Sequence, residues 1–354
     1  MTFNHVNKIL VIKLRHIGDV LLTVPVFRAL RENFPNAHIS ALVNSGTDDV
    51  LIGNSLIDEI LVFKRSIKKQ NPIKRFVMEL SFLRGIRTKC FDMTINLTEG
   101  DRGALVSFIS GAKYRIAQDP GRSGFGGKRY LYTHLAENGI DKHMVLRNLN
   151  IVRNFGIDTD NLTVDIFVPA EAREFVKKIL HENRLNENTK IVQIHPTSRW
   201  LFKCWKDEYM AEVIHWLVKN GVNVIITSSH DKKEMDKAKK ILSLLPANIS
   251  HYKSRIIDLC GKTTIKQLAA ISETSDLFLG VDTAPTHIAA AVGTPVIALF
   301  GTGENEWKPW GSKHLVISRE TFNRIGMSRE EYIMKNLSLI TPDDVMKAIT
   351  CLLL

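Results

Sequence analysis

Three short segments concentrate the side chains that can move a proton or hold a phosphate. The first is Arg15-His16-Ile17-Gly18-Asp19, at the end of a β-rich run. A carboxylate there can take a proton from an attacking hydroxyl. Equally, Asp19 can be the N-cap of the next helix, an effect worth about 1 kcal/mol. Gly18 suits a tight turn or a close backbone approach. The second segment is His195-Pro196-Thr197-Ser198-Arg199-Trp200-Leu201-Phe202-Lys203-Cys204-Trp205. Thr197, Ser198 and Lys203 can bind phosphate through hydroxyl donors and a point charge. The structural alternative leaves Lys203 solvated and Trp205 in a core. The third is Gly280-Val281-Asp282-Thr283-Ala284-Pro285-Thr286-His287. Pro285 suits the first turn of a helix. The free N–H groups and positive end of that helix, with Thr283 and Thr286, make an anion site. Asp282 beside it suits a hydrogen bond to a sugar hydroxyl. His287 is either part of that site or a satisfied buried histidine.

Each segment follows a strand pattern and opens a helix pattern. Lys8 to Leu14 is an apolar run of the kind found centrally in parallel sheets, and Val20 to Asn33 repeats apolar residues at helical spacing. Further strands are expected at His38–Val43, Ile60–Phe63 and Met93–Leu97. The pattern restarts at Lys190–His195, with strands at Val222–Thr227, Ile257–Cys260, Leu277–Gly280 and Pro295–Phe300. Helices are expected between them, and a last one over Pro342–Leu353. Strands alternating with helices predict βαβ units. The expected fold is α/β, with two Rossmann-like parallel-sheet domains facing across a cleft. They cover residues 1–170 and 171–340, and the helix in 341–354 is expected to pack back on the N-terminal domain.

At about 150 residues per domain, 354 residues agree with two domains. A composition of 44% hydrophobic and 24% charged residues excludes disorder as the main state. The charge is uneven. Lys and Arg number 48 against 37 Asp and Glu, a net +11, and residues 1–160 carry 23 against 15. An anionic partner is therefore expected. Much of the excess lies in Lys64, Arg65, Lys68, Lys69, Lys74, Arg75, Arg84, Arg87 and Lys89, opposed only by Glu79. Ile73, Phe76, Val77, Leu80, Leu83 and Ile86 fall at helical spacing among them and predict a basic amphipathic helix over Pro72–Lys89. That stretch lacks the interleaved surface aromatics of a nucleic-acid face, so nucleic acid is not expected as a partner. Cys90, Cys204, Cys260 and Cys351 are too scattered for a disulfide framework or a zinc site. Lys13, Arg15, His16 and Asp19 break the first apolar stretch, so a secretory signal is not expected. No apolar run is long enough to span a bilayer. A cytoplasmic chain, peripheral to a membrane, is expected. Gly121 to Arg129 imitates a P-loop without its spacing and reads as a flexible basic loop. No GxGxxG follows the first strand, which disfavours a nicotinamide enzyme. Asp48-Asp49 and Asp343-Asp344 read as helix-start acids.

Taken together, KLRHIGDVLLTVPVFRALRENFPNAHI, HPTSRWLFKCW and GVDTAPTHIAAAVGTPVIALFG resemble the glycosyltransferase family 9 heptosyltransferases of the lipopolysaccharide inner core. The wording FKCW and VDTAPTHIAAA, with Trp307-Lys308-Pro309-Trp310, is most like the third inner-core type. The first and second types typically show DTG where this chain has Asp282-Thr283-Ala284. The resemblance implies a GT-B fold, an acceptor-binding N-terminal domain and a nucleotide-sugar-binding C-terminal domain. It implies an ADP-heptose donor and inversion at the anomeric carbon, with no metal or other cofactor. Carried over by position, Asp19 is the general base and Lys203 neutralises the leaving diphosphate. Thr197, Ser198, Thr283 and the amides from Ala284 to His287 cradle the phosphates, and Asp282 holds heptose hydroxyls. Lys64, Arg65, Lys68, Lys69, Lys74 and Arg75 then face the phosphorylated acceptor or the anionic inner membrane. Three alternatives stay open: the acceptor of the first or second type, another GT-B nucleotide-sugar enzyme, and a non-enzymatic polyanion binder.

Overall fold

A computed structural model describes all residues except 1–2, 138, 140–142, 187–188, 247–253, 320–323, 325 and 354, and excepting the side chains of Lys68 and Lys69. The chain divides into two compact units, Met1–Phe167 and Val168–Leu354. The first runs β1 (Lys8–Lys13), α1 (Ile17–Leu21), α2 (Val24–Asn33), β2 (His38–Asn44), β3 (Glu59–Phe63), α3 (Pro72–Thr88), β4 (Met93–Asn96), α4 (Asp101–Ser110), β5 (Tyr114–Gln118), β6 (His134–Ala136) and α5 (Met144–Arg153). The second runs α6 (Ala170–Glu182), β7 (Ile191–His195), α7 (Asp207–Lys219), β8 (Asn223–Ser228), α8 (Lys232–Ser243), β9 (Ile256–Cys260), α9 (Ile265–Thr274) and β10 (Leu277–Val281). It continues with α10 (Ala284–Ala291), β11 (Val296–Phe300), α11 (Glu304–Trp307), β12 (His314–Ser318), α12 (Arg329–Ser338) and α13 (Pro342–Leu353).

Each unit holds one six-stranded sheet, in the orders β3-β2-β1-β4-β5-β6 and β12-β11-β10-β7-β8-β9. Every pairing is parallel. Parallel strands are covered on both faces, so the central ones are almost wholly apolar. In β1 only Lys8 is exposed, and β7, β10 and β11 are buried throughout. Helices α3 and α4 share one apolar cluster on β1, β2 and β3, including Ile86, Phe91 and Val106.

Four expectations change. The helix anticipated over Val20–Asn33 is two helices: the Thr23 hydroxyl donates to the Val20 carbonyl at 2.6 Å, and Pro25 in the first turn of α2 starts a new one. The last helix packs on its own unit. Val345, Ile349 and Leu353 of α13 join the core of α7, β10 and β11, and each buried side chain of this kind contributes about 1.5–3 kcal/mol. The Gly121–Arg129 loop is pinned, since buried Lys128 donates to the Glu99 carbonyl at 2.5 Å and lies 3.3 Å from Asp101. Asp48 starts no helix; it accepts from the Gly46 N–H at 2.9 Å within a turn. Asp343 and Asp344 do sit in the first turn of α13. No helix among the described residues is long and apolar enough to cross a membrane.

Helix α3 ends at Thr88, one residue before the expected Lys89, and the Asn71 side chain accepts from the Lys74 N–H at 2.8 Å. Its apolar residues do not share one face. Ile86 is buried, with Met78, Phe82 and Leu83 packed around the same cluster. Ile73, Phe76, Val77 and Leu80 form a separate stripe and are exposed.

Lys13 joins three elements. Buried at the end of β1, its Nζ donates to the Leu97 carbonyl at 2.9 Å and to Asn148 Oδ1 on α5 at 3.0 Å. Burial pushes its pKa down from 10.5 to about 8, against the attraction of Asp19. Between these values the unfolded chain keeps a proton that the folded chain has released, so the contribution of Lys13 to stability rises with pH across that window. Lys13→Met removes this titration. Denaturant midpoints taken across the window are expected to show the native chain gaining on the variant by up to about 3 kcal/mol. A pH-independent difference would show that Lys13 titrates normally.

Candidate functional site

In both sheets the strand order reverses beside the unit's first strand. From β7 the chain passes through α7 to β8, whereas from β10 it passes through α10 to β11 on the other side. The loops leaving β7 and β10 diverge above adjacent strand ends, and such a switch point opens a crevice for ligands. Gly280 permits the close packing there, because a Cβ would lie 3.3 Å from the His195 carbonyl oxygen and 2.6 Å from the Phe278 ring. The second and third segments of the sequence meet at this place.

Their meeting point is an ion pair. Lys203 lies in a short 3-10 turn after β7, and its Nζ is 2.5 Å from Asp282 Oδ2 at the end of β10. The two side chains are only 22% and 17% exposed. Behind them Trp205 is buried, and its indole N–H donates to the Ile340 carbonyl at 3.0 Å, which fixes the loop. Immediately after Asp282, Thr283 takes the N-cap position of α10 with no side-chain cap, and Pro285 lies in the first turn. The positive end of α10 therefore begins one residue from the ion pair. Buried Ser198 accepts from the Trp200 N–H at 3.2 Å, which leaves its own proton to donate.

Other residues of these loops are turned to different work. The Thr286 hydroxyl is buried and donates back to the Val281 carbonyl at 2.7 Å, so it faces the strand and not an anion. His287 is buried within α10. His195 is buried against the Thr227 hydroxyl at 3.0 Å, and burial lowers its pKa to about 3, leaving it neutral. Burial raises the Cys204 thiol to about 11.

Glu234 was not anticipated. It is buried in the first turn of α8, just past β8, accepting from the Thr197 hydroxyl at 2.8 Å and the Ser229 hydroxyl at 2.6 Å. The Thr197 hydroxyl thus spends its hydrogen bond on Glu234. The Lys-rich character of α8 hides this residue; its place in a first turn beyond a strand end is the signal that could reveal it.

In the N-terminal unit the reversal lies between β1 and β4. Asp19 is not the N-cap of α1: it is the third helical residue, and its Oδ2 accepts from the His16 N–H at 3.3 Å. It is half-buried. Gly18 is buried in the first turn and has no positive φ. The loop is tied on several sides. The Leu14 N–H donates to Thr98 Oγ1 at 2.8 Å, and Arg15 pairs with Glu99 at 2.7 Å. The Arg15 carbonyl accepts from Arg65 at 2.9 Å and from Asn44 at 3.1 Å. Arg147 lies 3.5 Å from Glu99. Arg15, Arg65 and Arg147 thus meet either this loop or Glu99, which is tied to it.

The basic residues divide. Arg65 holds the Asp19 loop, and Arg75 lies 3.4 Å from Glu79. Lys64 and Lys74 are exposed, and the side chains of Lys68 and Lys69 lie outside the described residues. Among those residues, no group of three or more His, Cys, Asp or Glu side chains could hold a metal ion.

Residues 79–336 match glycosyltransferase family 9 (heptosyltransferase). The chain is 33% identical over 342 residues to lipopolysaccharide heptosyltransferase 3 of Escherichia coli K12, covering 95% of each chain. A second Escherichia coli lipopolysaccharide heptosyltransferase 3 is 30% identical over 347 residues, 96% of this chain and 97% of that one. Among solved structures, a family 9 glycosyltransferase from Veillonella parvula superposes with a TM-score of 0.82 at 21% identity, covering 98% of this chain and 97% of that one. The Escherichia coli heptosyltransferase WaaC with ADP-2-deoxy-2-fluoro heptose gives 0.73 at 18% identity, covering 97% and 99%. The fold class is that of these GT-B enzymes. On the profile match and the two curated relatives, the chain belongs to glycosyltransferase family 9, the heptosyltransferases.

Proposed function

We propose that this glycosyltransferase moves heptose from ADP-heptose to a heptose of the lipopolysaccharide inner core, with third-type acceptor specificity. The reaction is a single inverting displacement needing no metal or other cofactor. The observation that carries this reading is the Lys203–Asp282 pair, 2.5 Å apart at the head of α10. It sets a fixed cation, a helix N-terminus and a hydroxyl-binding carboxylate around one point, which is the chemistry a nucleotide diphosphate-sugar requires. ADP-heptose is taken as the donor because the structurally similar WaaC binds ADP-2-deoxy-2-fluoro heptose. The third-type acceptor follows the two heptosyltransferase 3 relatives.

In the empty site Lys203 and Asp282 neutralise each other, which avoids leaving either charge half-buried and alone. The donor diphosphate competes with Asp282 for Lys203. Once displaced, Asp282 accepts from heptose hydroxyls, while Ser198, Thr283 and the first amides of α10 donate to phosphate oxygens. The acceptor hydroxyl bonds to the anomeric carbon and its proton passes to Asp19. The bond from that carbon to the diphosphate oxygen breaks, and ADP leaves with the electron pair. Lys203 and the helix end stabilise the charge that develops on it, without a metal. Arg15, Arg65 and Arg147, gathered at the Asp19 loop and Glu99, attract a phosphorylated acceptor. The work is done at the cytoplasmic face of the inner membrane, where exposed Lys64 and Lys74 add attraction to anionic lipid.

Incubation with ADP-heptose and defined truncated lipopolysaccharide cores, followed by product mass, is expected to show one added heptose. Cores returned unchanged would contradict the reading. Asp19→Ala is expected to lower turnover by roughly 10²–10⁴-fold while ADP affinity by calorimetry stays nearly intact; turnover close to native would remove Asp19 as the base. Lys203→Ala is expected to weaken ADP binding and to lower turnover by about 10²–10³-fold. Asp282→Asn is expected to separate the two, binding ADP more tightly because no ion pair has to break, yet transferring heptose more slowly. Looser ADP binding in Asp282→Asn would contradict the proposed exchange of partners.

A further inference from the structure

Helix α3 is apolar on two sides. Its inner side packs on the sheet through Ile86, Leu83, Phe82 and Met78. Its outer side presents Ile73, Phe76, Val77 and Leu80 at 80%, 69%, 58% and 56% exposure. Their spacing of three, four and seven residues places them in one stripe along the helix. A surface helix ordinarily turns charged groups to water, and a contiguous apolar stripe there marks a surface that meets something apolar. Helix α4, in the same cluster on the same side of the sheet, exposes Leu105 and Phe108 at 44% and 50%.

Charge decides what that partner is. Lys74 and Arg84 are exposed on α3, and no acid among the described residues pairs with either. Glu79, the one acid of the helix, is neutralised by Arg75 at 3.4 Å and Arg102 at 3.0 Å. A second copy of this chain would bring the same cations against themselves. A bilayer carrying anionic headgroups satisfies both features, taking apolar side chains below the headgroups and cations among them. The helix is also preformed, begun by Pro72 and capped by Asn71, so docking need not order it.

We propose that α3 inserts the stripe Ile73, Phe76, Val77 and Leu80 into the interface of an anionic bilayer, with Lys74 and Arg84 at headgroup level. This deepens the reading of an enzyme working at a membrane surface, by adding apolar insertion to attraction between charges. Attraction alone fades in salt, whereas insertion of apolar side chains does not.

Co-sedimentation of the full chain with phosphatidylethanolamine–phosphatidylglycerol vesicles and with pure phosphatidylcholine vesicles tests it. The native chain is expected to partition onto the anionic vesicles and to keep part of that binding at high salt. The combined variant Ile73→Ser, Phe76→Ser, Val77→Ser, Leu80→Ser alters only exposed positions and keeps every basic residue. It is expected to partition at least about tenfold less, with unchanged heptose transfer to a lipid-free core oligosaccharide. Equal partitioning of the two chains, or native binding lost entirely in high salt, would overturn the insertion. So would a stripe-dependent dimer that ignores vesicles. Stripe-dependent vesicle binding by a chain that transfers no heptose would support the insertion and contradict the proposed reaction.

Discussion

The reversal of strand order beside β1 and beside β7 is the constraint on which the rest of the molecule depends. Right-handed crossovers oblige connections running in opposite directions along a sheet to leave by opposite faces. Two adjacent parallel strands then lose the cover of a common loop at their carboxyl ends. Asp19 follows β1, and Lys203 and Asp282 follow β7 and β10. All three are placed by strands so apolar that they can only be central. The proposed chemistry sits on loops, while its position is set by cores in which most side chains have no contact with water.

Several charges at the two switch points have internal partners. Lys203 is matched by Asp282 and Arg15 by Glu99. Buried Thr197 is matched by Glu234, and Lys13 by backbone and amide oxygens. A half-buried charge without a partner is costly, so a site built to bind an anion needs an internal substitute while empty. Exchange of that substitute for substrate lets the site change partners without exposing a bare charge. In the proposed reaction it also explains why Lys203 and Asp282, given opposite tasks there, stand against each other.

Much of this was legible in the chain itself. Continuous apolar runs reveal central strands whatever surrounds them, and Pro285 after Asp282-Thr283-Ala284 marks the head of α10. One end of each sheet was harder to see, β5 and β6 in the first and β12 in the second. β5, β6 and β12 are partly exposed, and Tyr114, Arg115, His134 and His314 dilute their apolar character. Helical spacing showed that α3 exists but merged its two stripes into one face, because periodicity does not say which stripe meets the sheet. The apolar face of α13 was equally plain, while its partner depended on long-range packing. Glu234 and the inward turn of Thr286 are tertiary facts with only weak local signals.

In the proposed reaction Asp19 acts as a base towards the acceptor, not as a nucleophile towards the sugar, so that the anomeric carbon is displaced once. The most direct measurement is the anomeric configuration of the new glycosidic bond, read by nuclear magnetic resonance on product made from ADP-heptose of defined configuration. Inversion relative to the donor is expected. Retention would require a covalent or front-face route for which Asp19 in this role has no place, and would contradict the proposed reaction.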